Sequence, residues 1–134
     1  MTRSLPRRCN SWRAVPEAVT EVRHWLIDRA REAGAAPPAL AAISLAATEA
    51  AANAVVHAFN DRASPGNIVV SAELVGHECL RVVIADDGTG LRPRPDSPGL
   101  GLGLPVINHL TDEVEVMTRS AGGTEVRMHF GLAA

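Results

Sequence analysis

The chain has 134 residues, 46% of them hydrophobic and 21% charged, with a formal net charge of −2. That length suits one compact domain, residues 1–134, which can bury a core without disulfides or a metal. Lysine is absent, so phosphate or Schiff-base chemistry through a lysine is excluded, and no basic surface of the kind that binds nucleic acid dominates.

The short basic cluster RSLPRR near the start reads as a solvated terminus. Cys9 and Cys79 are far apart in sequence, which fits a reducing compartment better than a disulfide scaffold. Neither a signal-peptide segment nor an apolar run of membrane length stands out, so a cytoplasmic protein without membrane contact is expected.

Residues 1–13 have room for one short strand or arm. From Pro16 to Glu32, apolar residues at Val19, Val22, Leu26 and Ala30 recur at gaps of three and four, which predicts an amphipathic helix. Pro16 suits its first turn and Gly34 its end. A second helix is expected over residues 38–59. The valine- and isoleucine-rich segments NIVVSAELV and CLRVVIAD follow, joined by GHE as a tight turn. After a loop over residues 92–99 comes a short helix, LPVINHL, and then a last hairpin of DEVEVMT and TEVRMHF around GG. Strands joined by short turns run antiparallel, so the expected fold is an α+β two-layer sandwich. Its sheet is mostly antiparallel, with helices on one face.

Within the second helix, Glu49, Asn53 and His57 are spaced by four. Each step of four turns a helix by only about 40° beyond a full circle, so the three form one stripe. Leu45, Ala46, Ala50 and Val56 are expected to pack elsewhere on the helix. Two readings are open. The stripe is a solvent face, or it is a catalytic face in which Asn53 offers Mg²⁺ a neutral oxygen and Glu49 accepts a proton.

Three glycine-bearing turns bear on that choice. DDGTG follows a buried strand; Asp86 is placed to accept a hydrogen bond from an exocyclic amine, while Gly88 and Gly90 permit a sharp turn. An ordinary Asp-Gly turn accounts for the same letters. GLGLGLPVI precedes the short helix, whose free N–H groups suit phosphate; a flexible linker is the alternative. GGT turns the last hairpin, with Thr124 beside it.

Taken together, these motifs resemble the GHKL (histidine kinase-like) ATPase superfamily, and within it the small anti-sigma regulatory factors, which are serine/threonine kinases. The short length, the brief lid over residues 91–98 and the closing GLGLPVINHLTDEVEV select that branch. The resemblance implies ATP held between the second helix and the lid, with Glu49 as catalytic base and Asn53 as Mg²⁺ ligand. It implies Asp86 as the adenine-binding aspartate, Gly88 and Gly90 shaping the adenine pocket, Gly101, Gly103 and Leu104 in the phosphate-binding segment, and Thr124 near the base. His57 is expected to be structural or near the nucleotide. Arg92 and Arg94 are either phosphate or partner contacts or solvated loop charges. The implied partners are a sigma factor and a STAS-domain anti-sigma factor antagonist, without direct nucleic-acid contact. A homodimer would use a sheet edge or the exposed sheet face.

Overall fold

The computed structural model describes residues 6–59, 66–87, 110–118 and 123–133, and in residues 57–59 and 118 the backbone only. In chain order the elements are β1 (Arg8–Arg13), α1 (Pro16–Glu32), α2 (Pro37–Phe59), β2 (Asn67–Val75), β3 (Cys79–Asp86), β4 (Glu113–Thr118) and β5 (Thr124–Gly131). The five strands form one sheet in the order β1-β2-β3-β5-β4. All four pairings are antiparallel. The expected sandwich is therefore present, and the strand allowed for in residues 1–13 exists as the edge strand β1.

Local sequence explains the helix ends. At the end of α1, Gly34 has φ +85°. Its N–H donates to the Arg31 carbonyl at 3.0 Å, and the Ala35 N–H donates to the Ala30 carbonyl at 3.0 Å. That pair of bonds is a Schellman closure, which needs a left-handed residue where glycine stands. α2 begins one residue earlier than expected, at Pro37. The Ala36 carbonyl accepts from the Leu40 N–H at 3.0 Å, so Pro37 and Pro38 occupy the opening turn, where a missing N–H costs nothing.

The core lies between the helices and one face of the sheet. α1 buries Ala18, Val22, Leu26 and Ala30. Val19, expected on that face, is only partly buried, because a strict spacing of four centres the stripe on Ala18 instead. α2 packs on both α1 and strands β2, β3 and β5. Its alanines at 46, 47, 50, 51 and 54 are buried, and small side chains let its axis approach both layers. From the sheet, Ile68, Val70, Leu80, Val82, Ile84 and Met128 point into the same core. Trp12 on β1 meets Trp25 on α1 edge to face at 6.0 Å, and the Arg29 guanidinium lies 5.2 Å from the centre of the Trp25 ring.

One sequence expectation needs correction. The stretch Pro37–Val56 is long and apolar enough, by length and composition, to cross a membrane. Its alanine face is instead consumed by packing on α1 and the sheet. A helix apolar on nearly every side is also what a central layer between two others requires.

The two cysteines differ in setting. Cys9 is exposed and Cys79 half-buried. Burial first, and the nearby Asp112 carboxylate second, push the Cys79 thiol above its ordinary pKa. The thiolate is the reacting form. Iodoacetamide near neutral pH should therefore modify Cys9 first, with Cys79 lagging and catching up as the pH rises. Peptide-level mass spectrometry of a time course reads this directly.

Candidate functional site

The polar stripe of α2 is a boundary feature. At about 100° per residue, Leu45, Val56, Glu49 and Asn53 fall within one sector about 80° wide, and the buried alanines occupy the adjoining sector of about 140°. Glu49 and Asn53 are half-buried. Leu45 and Val56 are 55% and 45% exposed, so these two do not pack elsewhere as expected but flank the polar pair. The reason is that the alanines, with Ile43, already fill the core-facing half of the helix. Neither the Glu49 nor the Asn53 side chain has a protein partner among the described residues. His57 continues α2, but its side chain lies outside them.

The other half of the site is at the end of the sheet. Asp86 closes β3 and Thr124 opens β5. They stand one step beyond the Ala85–Glu125 pair of the ladder, so they share the helix-facing side of adjacent strands. Asp86 is 4% and Thr124 2% exposed. Both take part in polar or electrostatic interactions within the molecule. A carboxylate buried at a strand end is costly unless donors meet it. The exocyclic amine of a purine is such a donor.

The two aspartates of DDGTG have different jobs. Asp87 Oδ1 accepts from the Asn67 N–H at 2.8 Å, which ties the start of β2 to the end of β3. Asp86 is thereby left as the buried carboxylate at the mouth of the fold. Gly88, Gly90, Arg92, Arg94, Gly101, Gly103 and Leu104 lie outside the described residues.

Sequence reasoning missed the part played by Gly123. It has φ +97°, and a Cβ there would stand 1.9 Å from the Asp86 carbonyl oxygen and 2.9 Å from the Asp87 Cα. The backbone that opens β5 therefore presses directly on the backbone that carries Asp86. The available signal was the doubled glycine of GGT, one more than a hairpin turn requires.

The structure thus places a buried carboxylate at a sheet end and, on the helix packed against that sheet, a carboxylate–carboxamide pair without partners among the described residues. Residues 12–130 match the histidine kinase-like ATPase domain. The chain belongs to that family.

Relatives of this ATPase domain include a histidine kinase and anti-sigma F factors. It is 35% identical over 95 residues to blue-light-activated histidine kinase 2 of Erythrobacter litoralis, a match covering 68% of this chain and 27% of that protein. It is 24% identical over 97 residues to the anti-sigma F factor of Heyndrickxia coagulans, covering 64% of this chain and 65% of that protein. A Mycobacterium tuberculosis structure of RsbU and RsbW domains superposes with a TM-score of 0.75 at 29% identity, over 97% of this chain and 33% of that one. The ATPase domain thus spans only part of the length of these relatives.

Proposed function

We propose that the protein is an ATP-binding anti-sigma regulator that sequesters a sigma factor and phosphorylates a serine or threonine on a STAS-domain antagonist. The observation that carries this reading is the Glu49–Asn53 pair on α2, without partners among the described residues, above strands that bury Asp86 and Thr124 at their ends. Similarity to anti-sigma F factors along 64% of the chain supports the regulatory half.

In this reading Asp86 accepts a hydrogen bond from the adenine amine, with Thr124 beside it. Asn53 would supply a neutral oxygen donor to Mg²⁺, which takes few protein ligands when phosphates complete its shell. Bound Mg²⁺-ATP supplies the transferable phosphoryl group and neutralises its charge. Glu49 orients the partner's hydroxyl and accepts its proton as transfer proceeds.

Removing the base and removing the metal ligand should separate. Glu49→Gln should lower phosphotransfer by about 10²- to 10⁴-fold, the usual worth of a general base, while ATP affinity changes little. Asn53→Ala should abolish the Mg²⁺ dependence of both binding and transfer. Calorimetry with and without Mg²⁺, beside radiolabel transfer to a STAS-domain protein, measures each. Full activity of Asn53→Ala would remove the metal role.

A second reading has a specific observation behind it, the 35% identity to a histidine kinase. The chemistry of the product separates the two: phosphohistidine is lost in acid, whereas phosphoserine and phosphothreonine survive. A third outcome, ATP binding without any transfer and partner binding indifferent to Glu49→Ala, would make the protein a regulatory module and not an enzyme.

A further inference from the structure

The sheet face turned away from the helices contains a second polar cluster, remote in role from the nucleotide face. On it lie Ser71, Glu73, Arg81, Val83, Glu125 and Arg127, with Arg7 leading into the edge strand. Together they line a pocket of about 150 Å³. The ladder explains why they meet: Ser71 pairs with Val83, Val83 with Arg127, and Glu73 with Arg81.

The hydrogen-bond inventory of this pocket is unbalanced. Arg81 Nη1 donates to Glu73 Oε1 at 2.9 Å, and its Nε donates to His129 Nε2 at 3.3 Å. Arg127 Nε donates to Glu125 Oε2 at 2.6 Å. Arg81 Nη2, both Nη groups of Arg127 and the whole Arg7 fork then have no acceptor among the described residues. Three guanidinium groups and two carboxylates line the pocket, and a third carboxylate, Glu115, stands cross-strand from Arg127 on the same face. Ser71, only 5% exposed on a face that no described helix covers, adds a hydroxyl without a partner among the described residues.

We propose that this pocket is an anion site for one phosphate-class oxyanion, separate from the nucleotide face. The guanidinium N–H groups without an acceptor among the described residues select an anion. The donors come from three separate guanidinium groups and a hydroxyl, which suits an ion with three or four oxygens better than a planar carboxylate with two. The volume of about 150 Å³ suits a small ion and falls below the roughly 300 Å³ at which pockets for larger ligands begin. The ion would bridge the segment entering β1 to β3 and β5, joining the sheet edge to its centre.

The test is a ¹⁵N-resolved NMR titration of the protein with sodium phosphate at constant ionic strength, with chloride as the control. Saturable shifts at Ser71, Val83, Arg81 and Arg127, with phosphate and not with chloride, are expected. Arg127→Gln should weaken them about tenfold or more, the effect of losing one charge-assisted hydrogen bond. Arg7→Gln, at an exposed position just before β1, should weaken them as well.

Linear shifts that match chloride, or saturable shifts that neither variant changes, would overturn the proposal. Mg²⁺-ATP is then added to the phosphate-loaded protein. Displacement of the phosphate shifts would make the pocket a seat for a nucleotide tail and overturn a site sized for a single ion. Retained phosphate shifts support it, whether or not ATP binds at α2, so this result and the nucleotide reading stand or fall separately.

Discussion

Asp86→Ala should weaken ATP binding by roughly 10- to 100-fold, the range for a hydrogen bond to a buried charged group. The argument rests on burial. At 4% exposure, Asp86 can read only what enters the fold at the end of β3. If its role is to accept from the adenine amine, inosine triphosphate, which lacks that amine, should bind the unaltered protein weakly and be nearly indifferent to the substitution. The four affinities form a double-mutant cycle whose coupling isolates the amine contact from general damage. Because Asp86 also interacts within the molecule, melting temperatures must accompany the calorimetry. An equal loss of both nucleotides would assign Asp86 to structure and leave the base to be read elsewhere.

Gly123→Ala should do greater harm, to stability and site together. The three atoms nearest its Cβ, all within 3 Å, are backbone, so turning a side chain aside cannot relieve the contact. Either β5 or the end of β3 must move, and φ +97° is a conformation that alanine rarely adopts. A destabilisation of about 3 kcal/mol or more is expected, as for other strained backbone positions with a steric clash. The displaced Asp86 should cost ATP affinity even at temperatures where the variant is folded. Gly76 provides the control. Its φ is +68°, yet nothing lies within 4 Å of the added carbon. Gly76→Ala should therefore cost only the left-handed conformation, about 1–2 kcal/mol, and leave nucleotide binding unchanged. Denaturant melts of both variants beside ATP calorimetry make the comparison. Equal effects in the two would mean that the approach of Gly123 to Asp86 has no functional weight.

The amino-acid sequence alone determined the two long helices and the strands in their order; the expected short helix LPVINHL lies, but for Leu110, outside the described residues. Both hairpin strands NIVVSAELV and CLRVVIAD coincide with β2 and β3, and α1 has the expected bounds, because local signals are strong there. Valine-rich alternation, Pro16 at the helix start and Gly34 in the left-handed region act within a few residues of each other. Spacing also placed Glu49 and Asn53 on one stripe of α2.

Tertiary structure decided which way that stripe faces. Leu45 and Val56 are as apolar as any core residue, yet they stand exposed beside Glu49 and Asn53. The face of a helix that is apolar nearly all round is chosen by how closely its neighbours approach, and alanine permits the closest approach. Sheet order likewise set Asp86 beside Thr124, residues 38 positions apart in the chain. It also brought Gly123 against the Asp86 carbonyl and gathered Arg7, Arg81 and Arg127 around Ser71. None of these meetings has a local signature. Each depends on which strand pairs with which, and that is settled by burying the whole core at once.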